Sequence, residues 1–230
     1  MDFDGWASTA KLVAAIAVIG MPGSKICFLC RAILRLCYVA WLGVSGVGLL
    51  HPALAGERSP STHGRTKAIS LFGGVLTDNR WYDTFAPWNL EFRSSALVGL
   101  AALHRIGPMN PRWSFEVEGQ VVRHFGDQDN WEFNLPIVGR WHTFPWDDVV
   151  DTSLAFGIGP SYASSIPKAE VANRGNSHRL LVYWKLEAEL APPNSDWSAI
   201  FVLHHRSGAF NTVADEGGSN SIVIGLRRRF

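Results

Sequence analysis

His205 and Ser207 stand two residues apart in the segment Phe201-Val202-Leu203-His204-His205-Arg206-Ser207-Gly208. On an extended strand, alternate residues share a face, so the two side chains leave the backbone about 7 Å apart and can converge. A histidine that accepts a serine hydroxyl proton makes an activated nucleophile for acyl transfer, provided a third group orients the imidazole. Glu216, or its neighbour Asp215, lies at the entry to the next strand-like segment and could supply that carboxylate. The competing structural reading is plain. An H-x-S triplet is common by chance, and His205 could be an interfacial polar residue, with Ser207 starting a turn at Gly208.

Other chemistry is thinly represented. Cys27 and Cys30 have C-x-x-C spacing, but no second pair or nearby histidine accompanies them, and the only other cysteine is Cys37. His104, His124, His142 and His178 lack metal-ligand spacing. No nucleotide or phosphate-binding glycine motif is present, Gly73-Gly74 being too short a signal. The sequence therefore implies no cofactor and no metal. The formal charge of +1 over 230 residues argues against a nucleic-acid partner, and the 47% apolar content against a disordered chain.

The N-terminal portion differs in kind from the rest. Lys25, Arg31 and Arg35 precede an apolar run from Cys37 to Leu50, and Ala53-Leu54-Ala55 then precedes Gly56. A basic start, a short apolar centre and an A-x-A end are the three parts of a secretory signal peptide, with cleavage expected after Ala55. The run is shorter than the ~20 residues a spanning helix needs, which disfavours a helical anchor. Residues 1–20 bring a second apolar stretch that a signal does not require, and Met21 is an alternative start. Removing residues 1–55 leaves 17 basic and 18 acidic side chains and no cysteine.

What remains alternates with period two. Trp113, Phe115, Val117, Gly119 and Val121 alternate with Ser114, Glu116, Glu118 and Gln120. Leu180, Val182, Trp184, Leu186, Ala188 and Leu190 alternate with mostly polar or charged residues, and Trp131 to Ile137 behaves similarly. Weaker segments at 67–77, 89–105 and 150–162 and clear ones at 197–207 and 219–230 bring the count to about eight strands, with no convincing helical period. Alternation alone also fits a soluble β-barrel or sandwich. Three features favour an eight-stranded antiparallel transmembrane β-barrel behind a signal peptide. The polar faces carry both signs of charge, as a packed lumen would. Trp81, Trp88, Trp113, Trp131, Trp141, Trp146 and Trp197 fall near strand ends, as interfacial girdles do. The chain finishes on Phe230, preceded at two-residue steps by Arg228, Leu226, Ile224 and Ile222, a pattern similar to the signature read by the outer-membrane barrel-assembly machinery.

With both termini periplasmic, turns near 107–111, 142–147 and 191–196 face the periplasm, and 78–88, 126–130, 163–177 and 208–218 face outward. The strand from Trp197 then rises outward and places His205 and Ser207 on its apolar, lipid-facing side at the outer leaflet. Polar groups there are costly unless they are interfacial or serve chemistry.

The segment from Phe201 to Phe210, with Glu216-Gly-Gly-Ser-Asn and Gly225-Leu-Arg-Arg-Arg-Phe230, resembles the C-terminal region of the lipid A 3-O-deacylase (PagL) family and its acyloxyacyl hydrolase-like relatives. The resemblance is specific over the last ~30 residues and architectural before them. It implies an outer-membrane location, lipopolysaccharide as partner, and hydrolysis of the ester-linked 3-position acyl chain of lipid A. His205 then matches the family histidine, Ser207 the nucleophile and Glu216 the glutamate, with Asp215 open as an alternative. The family asparagine that helps hold the oxyanion is replaced by Gly208, whose backbone N–H is the substitute candidate. Trp197, Phe201 and Leu203 are expected to line an acyl groove, with Arg174 or Arg179 near the lipid phosphates. A catalytically inert barrel, a secreted barrel that binds an apolar ligand, and a homodimeric assembly all stay open.

Overall fold

The computed structural model describes residues 65–230 apart from 86, 108, 109, 111, 210, 211 and 216. The expected leader, the three cysteines and Glu216 lie outside the described residues. Nine strand segments follow one another: β1 Lys67–Thr77, β2 Phe92–Ile106, β3 Trp113–Gly126, β4 Trp131–Asn134, β5 Ile137–Trp141, β6 Asp151–Ala163, β7 Leu180–Ala191, β8 Trp197–Ser207 and β9 Gly218–Arg229. Among the described residues, an α-helix, α1, spans Lys168–Arg174 between β6 and β7, and two short 3-10 turns, Asp83–Phe85 and Pro87–Asn89, lie between β1 and β2.

All the pairings are antiparallel. β4 and β5 each pair with both β3 and β6, so they form one stave broken at Leu135-Pro136, and the wall has eight staves. Proline has no N–H to give the ladder. Its carbonyl still accepts from Glu118 N–H at 3.0 Å, and Leu135 N–H reaches the Pro160 carbonyl at 3.1 Å, so the break is bridged. β9 closes on β1 from Ala68 opposite Arg229 to Thr77 opposite Asn220, which removes both sheet edges.

The alternation sorts side chains onto two surfaces. Leu71, Leu100, Phe133, Ile137, Phe156 and Leu180 are among the apolar residues turned outward and exposed. Trp113 and Trp141, directly opposite one another, lie at one end of this belt with Trp197, while Trp131 and Tyr162 lie at the other. Strands of 11 residues or more are long enough to cross a bilayer when tilted. A closed sheet satisfies its backbone internally, so an apolar belt between aromatic girdles makes this a transmembrane barrel of the bacterial outer-membrane type.

The interior is charged on one side. Among the described residues, the buried charged side chains are six glutamates (116, 118, 132, 170, 187, 189) and six cations (Arg105, Arg140, Lys185, Arg206, Arg227, Arg229). Arg140 bonds Glu116 at 3.0 Å, Glu187 at 2.7 Å and Glu189 at 2.9 Å, and Arg227 bonds Glu187 at 2.5 Å and Glu189 at 2.7 Å. Charges removed from water need such partners, because an unpaired one costs several kcal/mol. The other side of the lumen is apolar, which the sequence reading had not separated: Phe72, Leu76, Leu97, Ala101, Val122, Ile200 and Val223 cluster there. Phe72 lies against Gly99, where a Cβ would come within 2.3 Å of its ring.

Short turns at 107–112, 142–150 and 192–196 lie at the end shared with the C-terminus, and the segments 78–91, 127–130, 164–179 and 208–217 lie at the other. The expected arrangement of strands holds, with bounds shifted by up to a few residues. α1 is the departure. Its seven residues are too few to establish a helical period, and it ends at Gly175, whose φ of 85° lets its N–H reach the Val171 carbonyl at 2.8 Å. Glu170 of α1 points into the barrel mouth. It accepts from Arg206 at 2.7 Å, Ser219 at 2.8 Å and Ser177 at 2.5 Å, pinning the helix over the lumen.

Candidate active site

Even-numbered residues of β8 face the lumen, where Arg206 and His204 make their bonds, so odd-numbered His205 and Ser207 face the outer wall at the end bearing the longer loops. The ladder puts Trp184 of β7 directly opposite His205 on one side and Asn220 of β9 opposite it on the other. Trp184, His205 and Asn220 thus form one row across three strands. Asn220 in turn faces Thr77 of β1.

The row is joined by contacts. Trp184 and His205 have ring centroids 4.4 Å apart. His205 Nδ1 lies 2.6 Å from Asn220 Oδ1. Asn220 Nδ2 donates to the Asn79 carbonyl at 2.7 Å. The segment that carries Asn79, between β1 and β2, also brings Trp81 edge-on to Trp184 at 5.6 Å, so it crosses the outer wall over the row. His205 is 8% exposed as a result, although it stands on the lipid-facing side.

Ser207 is half-buried at the strand end. Its Oγ accepts from the Ala209 N–H at 3.4 Å, and no hydrogen bond joins it to His205. Gly208 is buried, and its carbonyl accepts from Val213 N–H at 3.0 Å. Ala209 takes a φ of 52°, uncommon for a residue with a Cβ. Opposite Ser207, Gly218 has a φ of 134°, and a Cβ there would meet the Arg206 carbonyl oxygen at 2.4 Å, so glycine is required.

Glu216 lies outside the described residues, and Asp215 is exposed and makes no hydrogen bond or ion pair among them. The group on His205 Nδ1 is Asn220, which the sequence reading missed. The signal was available: Asn220 precedes Ile222, Ile224 and Leu226 on the outward face of the last strand, the same polar-on-lipid-side anomaly that singled out His205 and Ser207.

The expected groove residues scatter along β8. Phe201 is exposed and Leu203 is buried. Trp197 begins the strand, about 33 Å from Ser207 measured along it at about 3.3 Å per residue, so the two lie at opposite ends of the spanning segment. It holds the Arg228 guanidinium over its ring at 5.6 Å, a girdle position. The apolar surface beside His205 belongs instead to Trp184 with Phe156, whose ring is 6.2 Å away, and to Trp81. Of the two arginines, Arg179 is engaged by the Ala163 carbonyl at 3.1 Å and by Tyr162. Arg174, at the end of α1, makes no hydrogen bond or ion pair among the described residues.

No protein-family model matches the chain, and no curated protein matches it. Among solved structures, the crystal structure of the outer membrane enzyme PagL superposes with a TM-score of 0.52 at 13% sequence identity, over 71% of this chain and 99% of PagL. Neisserial surface protein A superposes with a TM-score of 0.44 at 9% identity, over 75% of this chain and 100% of its own. At 13% identity the likeness to PagL is one of fold.

Proposed function

We propose that the chain is an outer-membrane esterase that removes the ester-linked 3-O-acyl chain of lipid A at the outer leaflet. The observation that carries this reading is the His205 to Asn220 contact on the lipid-facing wall, two residues from Ser207. Asn220 Oδ1 accepts from Nδ1–H, so the imidazole keeps its Nε2 lone pair, the form a general base requires. Ser207 Oγ then attacks the ester carbonyl while His205 Nε2 takes its proton. The oxyanion of the tetrahedral intermediate forms beside the Gly208 N–H. His205 returns the proton to the departing sugar oxygen, and water, activated the same way, releases the fatty acid from Ser207. Trp184, Phe156 and Phe201 supply apolar wall for the acyl chain, and Arg174 is the cation available to a lipid phosphate.

A second reading is an inert barrel with a surface or envelope role. It is favoured by the Ser207 hydroxyl, which bonds the Ala209 N–H rather than His205. Hydrogen bonds of catalytic pairs are often loose before substrate binds, so this contact alone does not remove the enzyme. The two readings separate in mass spectra of lipid A from cells expressing the chain or its Ser207→Ala variant. The esterase predicts a species lacking one 3-O-acyl group in the first and not in the second; identical acylation in both would sink it.

A further inference from the structure

An amide is ordinarily a poor substitute for the carboxylate of a serine–histidine site. It can present either its oxygen or its NH2 to the imidazole, and in a serine protease the aspartate-to-asparagine change lowers kcat about 10⁴-fold by favouring the wrong tautomer. In this barrel a main-chain group removes the ambiguity. Asn220 Nδ2 must face the Asn79 carbonyl, 2.7 Å away, because a carbonyl only accepts. Its Oδ1 is thereby turned to His205 Nδ1 at 2.6 Å, which must carry the hydrogen.

Asn79 is itself held from both sides of its loop. Its Nδ2 donates to the Asn89 carbonyl at 2.9 Å, and its Oδ1 accepts from the Glu91 N–H at 2.7 Å, clamping the two arms of the β1–β2 connection together. Asn173 of α1 donates to the neighbouring Asp78 carbonyl at 3.3 Å. Two steps along the chain, Trp81 packs on Trp184, which stacks on His205.

We infer that Asn79 is a positioning residue, and that its carbonyl, delivered by the docked β1–β2 loop, sets the tautomer of His205 through Asn220. This rests on the esterase reading only for its catalytic consequence. The loop then couples two events: docking covers the row of ring and amide groups and at the same time prepares Nε2 as the base. Asn220 can stand where a carboxylate would otherwise be needed because the loop supplies the acceptor that fixes its amide.

The test is made on the full chain refolded in detergent with ¹⁵N-labelled histidine, His205 being assigned by its absence in His205→Gln. Folding of every variant is read from the mobility of unheated samples on gels. The wild type should show a neutral imidazole protonated on Nδ1. Asn79→Ala, which frees the loop clamp, should shift His205 toward a mixture containing the Nε2–H form, and so should Asn220→Leu. Asn220→Asp, whose carboxylate can only accept, should hold the Nδ1–H form both alone and combined with Asn79→Ala. On lipid A, Asn79→Ala should lower kcat at least tenfold with KM little changed, and the combination with Asn220→Asp should recover it. An Nε2–H imidazole in the wild type, or an unchanged tautomer in folded Asn79→Ala, overturns the inference. If the tautomers respond as stated but the wild type releases no acyl chain, the esterase reading fails and the positioning role stands.

Discussion

Trp184 and His205 face each other across the β7–β8 ladder with ring centroids 4.4 Å apart and planes inclined by 35°. The indole lies against the imidazole, so a polar ring on a wall otherwise built for hydrocarbon is sheathed along one face. Asn220 occupies its other flank. A barrel with no use for His205 could have kept an aliphatic residue here at lower cost, since polar groups facing lipid are disfavoured.

Removing the indole should therefore be felt at the imidazole. In Trp184→Ala, the His205 ring protons should lose their ring-current shift, and stability should fall by about 1 kcal/mol from the aromatic contact alone. Under the esterase reading KM for lipid A rises more than kcat falls. Unchanged His205 proton shifts would contradict the stacking.

Glu187 is held by three lumen cations, Arg227 at 2.5 Å and Arg140 and Lys185 each at 2.7 Å. Glu187→Gln leaves cations buried without their counter-charge and should cost about 3–5 kcal/mol. The check is the urea midpoint of unfolding in detergent; a midpoint equal to wild type would mean that water or neighbouring groups satisfy the cations.

Gly218 combines a φ of 134° with a 2.4 Å approach to the Arg206 carbonyl. Gly218→Ala should destabilise the barrel by about 1–3 kcal/mol through backbone strain and displace the end of β9 from Ser207. The amide chemical shifts of Ser207 and Ser219 should move in the variant, while those at the β3–β5 pairing on the far wall stay put.

Glu170 ties α1 to Arg206 and Ser219. With Glu170→Ala the helix loses its hold on the lumen mouth, and protease added to intact cells should cut within 164–179 faster, while the eight staves remain folded. Equal cleavage rates would show that Asn173 and the loop backbone suffice to hold it.

The barrel was legible because its signal is repeated in strand after strand. Each strand shows the same inward and outward faces, and β1 and β8 match their expected bounds residue for residue. The leader expected over residues 1–55 falls outside the described residues. The site was half legible. His205 and Ser207 sit on the outer face because alternation within one strand places them there. Asn220 joins them through cross-strand register, which depends on how β8 and β9 slide against each other, and no single-strand pattern contains that offset. Asn79 was further from view still, since it acts through a backbone carbonyl and contributes no side-chain type that could mark it. The carboxylates near the start of β9 drew attention by their chemistry, whereas the amide that meets the histidine did not.

The last strand has a further consequence, for assembly. Arg227 and Arg229 of β9 reach across to Glu187 and Glu189 of β7, and Arg227 also donates to Ser70 of β1 at 2.9 Å. A closing strand that slipped by one residue would turn Arg227 and Arg229 out of the lumen and break their bonds to Glu187, Glu189 and Ser70, leaving the two glutamates with fewer cations. Correct closure is thus the arrangement in which both signs vanish together. The interior ion pairs thus specify one register for the final strand, a choice that the apolar exterior, which tolerates many registers, does not make.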